Sequence, residues 1–297
     1  CFIIYTIKGF GLPFAGHKDN HAGLMNNQQM ASFRDSMKIT DGEEWDYFSG
    51  LNVSKKSLEN FLARTPLYQP KNKVKDNKII EVPETLPLKI SAQMSTQEAF
   101  GKILNELGKG DTQLADRIVT TSPDVTVSTN LGGWVNRRGI FNRAEREDIY
   151  DSEKVVSVQK WALSKAGQHI ELGIAENNLF LLLSALGLSE QVFGTKLLPI
   201  GTVYDPFIAR GLDALNYACY QDSRFMLAGT PSGITLAPEG GAHQSIYTPL
   251  IGLGQPGLTT FEPAYADELA EIMRWGFEYM QESDGGSIYI RLTTRAI

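Results

Sequence analysis

The sequence has 297 residues, enough for one large domain or two ordinary ones with a substantial core. Its composition, with 42% hydrophobic, 10% aromatic and 21% charged residues, excludes a disordered, collagen-like or fibrous chain. With 28 basic and 34 acidic residues the formal net charge is -6, so the broad basic surface of a nucleic-acid-binding protein is not expected.

The cysteine content and the hydropathy of the sequence exclude further classes of protein. The sequence contains only two cysteines, Cys1 and Cys219, which excludes a disulfide framework and favours the reducing cytoplasm. No apolar run approaches the roughly 20 residues of a transmembrane helix, so no membrane partner is expected.

The chain opens on a β-rich apolar run from Cys1 to Ile7, with neither an initiator methionine nor the pattern of a signal peptide. This run predicts a strand of a larger sheet. Because a buried strand needs neighbours, we expect the sequence to be a fragment of a longer protein.

A glycine-rich loop over residues 9–23 follows and contains His17 and His21. On a helix the two histidines would face one metal ion, but the surrounding glycines and Pro13 argue against a helix, so a metal site is not favoured. Helices are predicted over 26–37 and 41–51. Residues 65–87 hold four prolines and a lysine-rich patch at positions 71, 73, 75 and 78, and are predicted to be a solvated linker after a first region, 1–64.

Beyond the linker, helices and strands are predicted to alternate. Helices are expected at 99–107 (with capping-box spacing from Ser95), 176–186, 207–219 and 264–281, and strands at 117–121, 167–173, 196–204, 225–229, 258–261 and 287–292. This alternation predicts that residues 88–297 form an α/β domain with a doubly wound, mostly parallel sheet.

Residues 252–257 read Gly-Leu-Gly-Gln-Pro-Gly and fit the dinucleotide-binding fingerprint by letters. That motif must follow a strand and open a helix, whereas Pro256 interrupts it here and a strand is predicted next. A turn is therefore the favoured interpretation.

Two other segments indicate a functional site. The first is Glu171-Leu172-Gly173-Ile174-Ala175-Glu176-Asn177-Asn178, in which a carboxylate lies at the junction between an extended segment and a strongly apolar helix; a simple helix-start residue is the competing interpretation. The second is the long glycine-rich loop 229–245, which contains Glu239 and His243. Irregular stretches of this length in a compact domain are usually functional.

Together these segments resemble the pyrimidine-binding domain of the transketolase superfamily of thiamine-diphosphate enzymes. The resemblance is strongest to the homodimeric decarboxylase component of the pyruvate dehydrogenase complex. It covers nearly the whole chain, with residues 1–64 resembling the end of the family's diphosphate-binding domain. Residues 173–176 match the segment of the cofactor-activating glutamate, and residues 239–244 match the active-site histidine loop.

The resemblance implies roles for individual residues. Glu176 would activate the cofactor through its aminopyrimidine ring, while Phe207 and Tyr204 would lie where that ring stacks. His243 and His21 would orient the substrate and transfer protons, a task that suits histidine near neutral pH. Asp124 corresponds to a position near the cofactor, although its neighbour Val125 replaces a carboxylate found in some homodimeric dehydrogenases.

The resemblance also implies ligands and partners. The intact enzyme would use thiamine diphosphate with magnesium, act on a 2-oxo acid of the pyruvate type, form a homodimer and pass its product to a lipoyl-bearing acyltransferase. The family's magnesium-binding Gly-Asp-Gly segment lies upstream of the position of Cys1, so the isolated chain is expected to bind the cofactor weakly or not at all.

Two alternatives remain open. A transketolase acting on sugar phosphates would need phosphate-binding arginines, for which Arg137, Arg138 and Arg143 are candidates, although a surface role is the favoured interpretation. The chain could also be a catalytically silent assembly module that retains the scaffold, because a fold alone does not imply an activity.

Overall fold

The computed structural model describes residues 2–65, 79–144, 153–154, 159 and 161–297. The chain divides into two compact units, Cys1–Asn72 and Lys73–Ile297. Most of the predicted linker, including its lysine-rich patch at 71–78, lies outside the described residues. In the last part of the linker, Ile80 and Leu86 are buried in the core of the second unit, because removing apolar side chains from water is favourable.

In the first unit, the helix predicted over 26–37 is confirmed as Asn27–Ser36, which is opened by a reciprocal capping box between Asn26 and Gln29. The helix predicted over 41–51 is wrong. This segment forms turns, and the Asp46 carboxylate accepts a hydrogen bond from the backbone N–H of Phe48 at 2.8 Å, a local bond that competes with helix formation.

The first unit differs from the prediction in two further places. A helix that was not predicted spans Lys55–Arg64 and is capped by Ser54. The predicted opening strand is wrong for the described residues 2–7, which have no regular structure and expose Phe2, Ile3 and Tyr5. An extended segment becomes a strand only when a neighbour satisfies its backbone groups, and no described residue pairs with it.

The second unit is built on one sheet of eight parallel strands within the described residues, in the order β3-β2-β4-β1-β5-β6-β8-β7. The strands are β1 Ile118–Ser122, β2 Ile140–Phe141, β3 Leu163–Ser164, β4 His169–Glu171, β5 Leu198–Tyr204, β6 Met226–Thr230, β7 Leu258–Phe261 and β8 Ser287–Arg291. The two-residue strands β2 and β3 were not predicted, because so short a segment has no measurable periodicity.

Helices cover both faces of the sheet and confirm the doubly wound α/β architecture. Successive residues of β6 face opposite sides, so Met226 and Ala228 enter one core and Leu227 enters the other. The helices of the first layer are Thr96–Leu107, Gly132–Arg138 and Ala266–Tyr279, and those of the second are Glu176–Gly187 and Leu212–Tyr220. Shorter helices span Gln113–Arg117, Ser189–Phe193 and Thr248–Gly254.

The helix predicted over 207–219 has an irregular start. Asp205–Gly211 forms a 3₁₀ turn with Pro206 in its first position, and the α-helix begins only at Leu212. Gly211 lets this turn approach the neighbouring helix, because a Cβ at that position would lie 2.3 Å from the Phe180 ring.

Parallel strands align their carboxyl ends along one edge of the sheet. The loops that follow β1, β4, β5 and β6 therefore emerge together at this carboxyl edge, which is where open α/β sheets bind ligands. The loop after β6, residues 231–247, is the longest of these four and contains the predicted histidine; we call it the His243 loop. None of the described helices combines the length and the apolar character needed to cross a membrane.

Candidate functional site

Glu176 is the first residue of its helix and directly follows the short loop 172–175 that leaves β4. It is only 7% exposed, and Leu179, Phe180 and Leu183 of the same helix are fully buried behind it. A nearly buried carboxylate needs a compensating partner. The structure provides one from the turn that follows β5.

That partner is Arg210, whose Nη1 donates a hydrogen bond to Glu176 Oε1 at 2.8 Å. The guanidinium carbon of Arg210 also lies 3.9 Å from the centre of the Phe207 ring, within the range of a cation–π contact. The Arg210 side chain is about half exposed, at 53%, so this cation closes the site on its solvent side. Sequence analysis did not identify Arg210.

An aromatic cluster continues the site toward the His243 loop. The His243 ring centre lies 4.9 Å from that of Tyr204 and 5.4 Å from that of Phe207. The Tyr204 and Phe207 rings meet edge to face at 5.9 Å. Nδ1 of His243 is shielded from solvent and has no hydrogen-bond partner within the described part of the chain. This nitrogen is thus a buried polar atom whose hydrogen-bonding capacity is not satisfied by the described residues.

The structure thus joins four of the six predicted site residues into one contiguous patch at the carboxyl edge, with contacts running from Glu176 through Arg210 and Phe207 to Tyr204 and His243. Asp124 is at the same edge, in the turn after β1, where its φ of 62° places it in the left-handed region. His21 belongs to the first unit, where its Nδ1 lies 2.9 Å from Lys8 Nζ.

A carboxylate to which sequence analysis assigned no role fixes the loop that leads to Glu176. Glu171, the last residue of β4, accepts hydrogen bonds through Oε1 from the backbone N–H groups of Asp124 at 2.8 Å and Leu172 at 3.1 Å. Through Oε2 it accepts from Thr126 Oγ1 at 2.6 Å and lies 3.5 Å from the fully buried ring of His169. This carboxylate ties the turn after β1 to the loop after β4.

The protonation of Glu171 follows from these contacts. Burial alone raises the pKa of a carboxyl group, but here the hydrogen bonds from His169, Thr126 and the Asp124 backbone outweigh it and lower the pKa of Glu171 to about 2 from a usual 4.5. The ionised form is therefore favoured by folding.

A pH dependence of stability follows. Since the folded-state pKa lies below the unfolded one, Glu171 stabilises the fold above about pH 4.5, and this contribution disappears as the pH falls toward 2. We expect Glu171→Gln to lower the free energy of unfolding by on the order of 3 kcal/mol at pH 7, with the difference shrinking below pH 4. Urea unfolding of both proteins at pH 7, 4 and 3 measures it.

The matched control is Glu98→Gln, which removes a half-exposed ion pair with Lys102 and is expected to change stability by less than about 1 kcal/mol. A difference between the wild type and Glu171→Gln that stays constant from pH 7 to 3 would contradict the assignment.

The arginines considered for phosphate binding do not form a common site. Arg138 donates to Asp116 Oδ1 at 3.1 Å and to Gln168 Oε1 at 3.2 Å, and it packs on the Trp134 ring. Arg137 and Arg143 are exposed. The surface and structural interpretation is thus the better one for these three residues.

Two other motifs have no ligand-binding geometry in the described residues. The glycine-rich segment 252–257 ends the helix Thr248–Gly254 and turns into β7, so it does not open a helix as a dinucleotide loop would. No group of three or more histidine, cysteine, aspartate or glutamate side chains in the described ranges has the arrangement of a metal site.

Comparison with known proteins identifies the family of the chain. Residues 87–295 match the family model of the pyruvate dehydrogenase E1 component middle domain. The pyruvate dehydrogenase E1 component of Pseudomonas aeruginosa is 27% identical over 300 residues, which cover 96% of this chain and 34% of that protein. The corresponding protein of Escherichia coli K12 is 25% identical over 309 residues, covering 98% of this chain and 34% of its own length. The chain thus spans about one third of the length of these relatives.

Solved structures show the same fold. A transketolase from Leishmania mexicana superposes with a TM-score of 0.64 at 17% identity, covering 97% of this chain and 41% of that one. A transketolase variant from Pichia stipitis gives a TM-score of 0.66 at 15% identity, with the same two coverages. These structures show that the chain shares the fold of transketolases, and the family match over more than half of its length shows that the chain belongs to the pyruvate dehydrogenase E1 component middle domain family.

Proposed function

We propose that this chain supplies the aminopyrimidine-binding half of the active site of a thiamine-diphosphate-dependent 2-oxo acid dehydrogenase of the pyruvate type. Membership of the family implies thiamine diphosphate dependence in the intact enzyme. The observation that supports the proposal most directly is the contiguity of Glu176, Phe207 and His243 at the carboxyl edge of the sheet.

The side chains fit the cofactor's aminopyrimidine ring in their chemistry. The ring needs a carboxyl group at a ring nitrogen and an aromatic face, and Glu176 and Phe207 offer these two features next to each other. Bound thiamine diphosphate would supply the electron sink for loss of carbon dioxide from a 2-oxo acid. In the structure, Arg210 contacts both the Glu176 carboxylate and the face of the Phe207 ring. The aminopyrimidine ring would have to replace part of these contacts when it binds.

The chain's own residues would then divide the work. Glu176 would hold a proton at a carboxyl oxygen in a site where Leu179 and Phe180 exclude water. Tyr204 and Phe207 would orient the planar ring, with Phe207 offering the aromatic face that Arg210 now covers. His243, whose Nδ1 has no partner in the described residues, would accept or return a proton at the substrate. Asp124 would contribute to cofactor binding from the turn after β1.

Other parts of the proposal concern the intact enzyme. Magnesium would accompany the cofactor's diphosphate, and His21 would act from the loop of the first unit. A lipoyl-bearing acyltransferase would accept the two-carbon product. A reducing, cytoplasmic setting agrees with the low cysteine content.

A homodimer is supported by exposed apolar side chains on the side of the sheet that carries Glu176. Seven large hydrophobic residues on the helices Glu176–Gly187, Leu212–Tyr220 and Thr248–Gly254 and on nearby loops are more than half exposed, a pattern typical of an interaction surface. They are Ile174, Leu181, Tyr217, Tyr220, Ile246, Leu250 and Leu253.

The transketolase alternative has weaker support, because Arg138 is engaged with Asp116 and Gln168 and the three candidate arginines do not converge. A silent assembly module would not require a carboxylate, an aromatic face and an unpartnered imidazole nitrogen in one patch. Both alternatives make different experimental predictions from the dehydrogenase.

The test uses the chain joined to a diphosphate-binding domain of the family. We expect this protein to bind thiamine diphosphate with magnesium in calorimetry, and to reduce a dye acceptor with pyruvate while transferring no two-carbon unit from xylulose phosphate. Transfer from xylulose phosphate without pyruvate oxidation would indicate the transketolase instead. Absence of cofactor binding by the folded protein would favour the silent module.

A further inference from the structure

Asp205 occupies a distinctive place in the site. It directly follows Tyr204 at the end of β5 and is the first residue of the 3₁₀ turn that contains Phe207 and Arg210. Its side chain is fully buried. An isolated buried carboxylate is strongly unfavourable, so the groups that compensate it are fixed in place by its charge.

Four side chains donate to this carboxylate. Oδ1 accepts a hydrogen bond from the Tyr289 hydroxyl, and Oδ2 accepts from the hydroxyls of Ser245 and Thr248, the latter at 2.5 Å. Nε of Arg291 lies 3.4 Å from Oδ2 and supplies the opposite charge. Each donor is at most 3% exposed, so the network has almost no contact with solvent.

Two of these donors are fixed to the sheet. Tyr289 and Arg291 belong to β8, which is separated from β5 only by β6. Burial, together with the neighbouring Asp205 charge, raises the pKa of the Tyr289 hydroxyl far above its usual value, so this group remains a donor. The backbone of β6 leaves room for the carboxylate, because a Cβ on Gly229 would lie 2.3 Å from Asp205 Oδ1.

The other two donors are Ser245, near the end of the His243 loop, and Thr248, the first residue of the helix that follows this loop. Ser245 is two residues beyond His243, and all of its polar groups are engaged. Its N–H donates to the Gly233 carbonyl at 2.9 Å, its carbonyl accepts from Arg291 Nη2 at 3.3 Å, and its hydroxyl donates to Asp205. Ser245 therefore pins the end of the His243 loop to β5 and β8.

The His243 side chain has no comparable anchor of its own. Its Nδ1 makes no hydrogen bond to the described residues, and its ring is held through contacts with Tyr204 and Phe207. The position of the ring thus depends on how the loop backbone is fixed nearby. Asp205 directly follows Tyr204 in the chain, and its side chain accepts a hydrogen bond from Ser245. It therefore connects Tyr204 to the loop that carries His243, which are the two sides of this ring contact.

We propose that Asp205 is a positioning residue, which acts through Ser245 to hold the His243 imidazole against Tyr204 and Phe207. The placement of the His243 ring is inferred from the geometry alone, whereas its importance for catalysis rests on the proposed function. The test is therefore made on the chain itself, without cofactor or substrate, so its result is independent of the enzymatic activity.

The experiment is NMR of the histidine ring C–H groups in the chain and in Ser245→Ala. The Tyr204 and Phe207 rings give the His243 resonances a ring-current shift, and His243→Gln assigns them. We expect Ser245→Ala to move these resonances toward their position in an unfolded peptide and to weaken the contacts observed between the protons of His243 and Tyr204. The isosteric variant Tyr289→Phe, which removes one donor to Asp205, should move them in the same direction.

The matched control is Ser287→Ala. Ser287 is also fully buried on β8, but its hydroxyl donates to the Ser223 backbone at 2.7 Å, away from the His243 loop. The resonances of the fully buried His169 report the integrity of the fold in every variant. The proposal requires that His243 alone moves in the Ser245 variant and that neither histidine moves in the control.

Three results would overturn it. The first is an unchanged His243 signal in folded Ser245→Ala, and the second is an equal displacement of His169 and His243, which indicates general loosening. The third applies if Ser245→Ala does not fold: an unchanged His243 signal in Tyr289→Phe would then decide against the proposal.

Discussion

Replacing Glu176 by glutamine is expected to lower the pyruvate-dependent activity of the enzyme joined to its diphosphate-binding domain by about 10²- to 10⁴-fold, the usual contribution of a positioned proton-transfer group. Glutamine keeps the size of the side chain and an oxygen that accepts from Arg210 Nη1, so the fold should be retained. What is lost is a group that can hold an exchangeable proton against the cofactor ring.

The matched control for this substitution is Glu190→Gln. Glu190 is likewise an early residue of a helix, Ser189–Phe193, and pairs with a cation, since its Oε2 lies 3.3 Å from Lys196 Nζ. The pair is partly buried but lies outside the site, so replacing Glu190 should leave activity within about twofold. Full activity in Glu176→Gln would refute the proposed role, and circular dichroism of both variants separates this result from misfolding.

Replacing Arg291 by methionine is expected to lower the free energy of unfolding by about 3–5 kcal/mol, the range measured when one partner of a buried ion pair is removed. Arg291 is 3% exposed and lies between Asp205 and Glu262, so its loss leaves the fully buried Asp205 without a counter-charge. For a unit of this size the melting temperature should fall by roughly 10 °C. Thermal and urea unfolding measure the two quantities.

The control is Arg274→Met, which removes two contacts, to Glu271 and Glu278, on the outer side of the helix Ala266–Tyr279. Those partners are exposed by 62% and 43%, so less than about 1 kcal/mol is expected. Asp205→Ala should be at least as damaging as Arg291→Met, because it leaves the Tyr289 and Thr248 hydroxyls without their acceptor as well. Equal stability of Arg291→Met and Arg274→Met would show that the buried network contributes little.

Much of the second unit could be predicted from sequence because its elements have strong local signals. β5 and β7 are short segments that are rich in β-branched and aromatic residues and bounded by turn residues, and the helix Ala266–Tyr279 has a clear apolar stripe with an acidic first turn. Elements without strong local signals were not predicted. The two-residue strands β2 and β3 exist because neighbouring strands pair with them, and the turns over 41–51 depend on local hydrogen bonds such as that of Asp46.

The residues of the site also divide into those that the sequence indicates and those that it does not. Glu176, Phe207 and His243 lie in segments whose residue order resembles that of a known family, and the sequence alone was enough to nominate them. Arg210, Asp205 and Glu171 were given no role, although a carboxylate at the end of a strand or directly after it, as at Glu171 and Asp205, is a signal that could have found two of them.

By itself, the sequence determined the α/β class, the parallel sheet and the segments that supply the site, because hydrophobic periodicity, capping and glycine placement act over a few residues. Only the tertiary structure decided which polar groups neutralise one another. Asp205 and Arg291 are 86 residues apart, and Glu176 and Arg210 are 34 residues apart. These pairs exist because parallel strands bring their carboxyl ends to one edge, where a buried charge must find its partner across the sheet rather than along the chain.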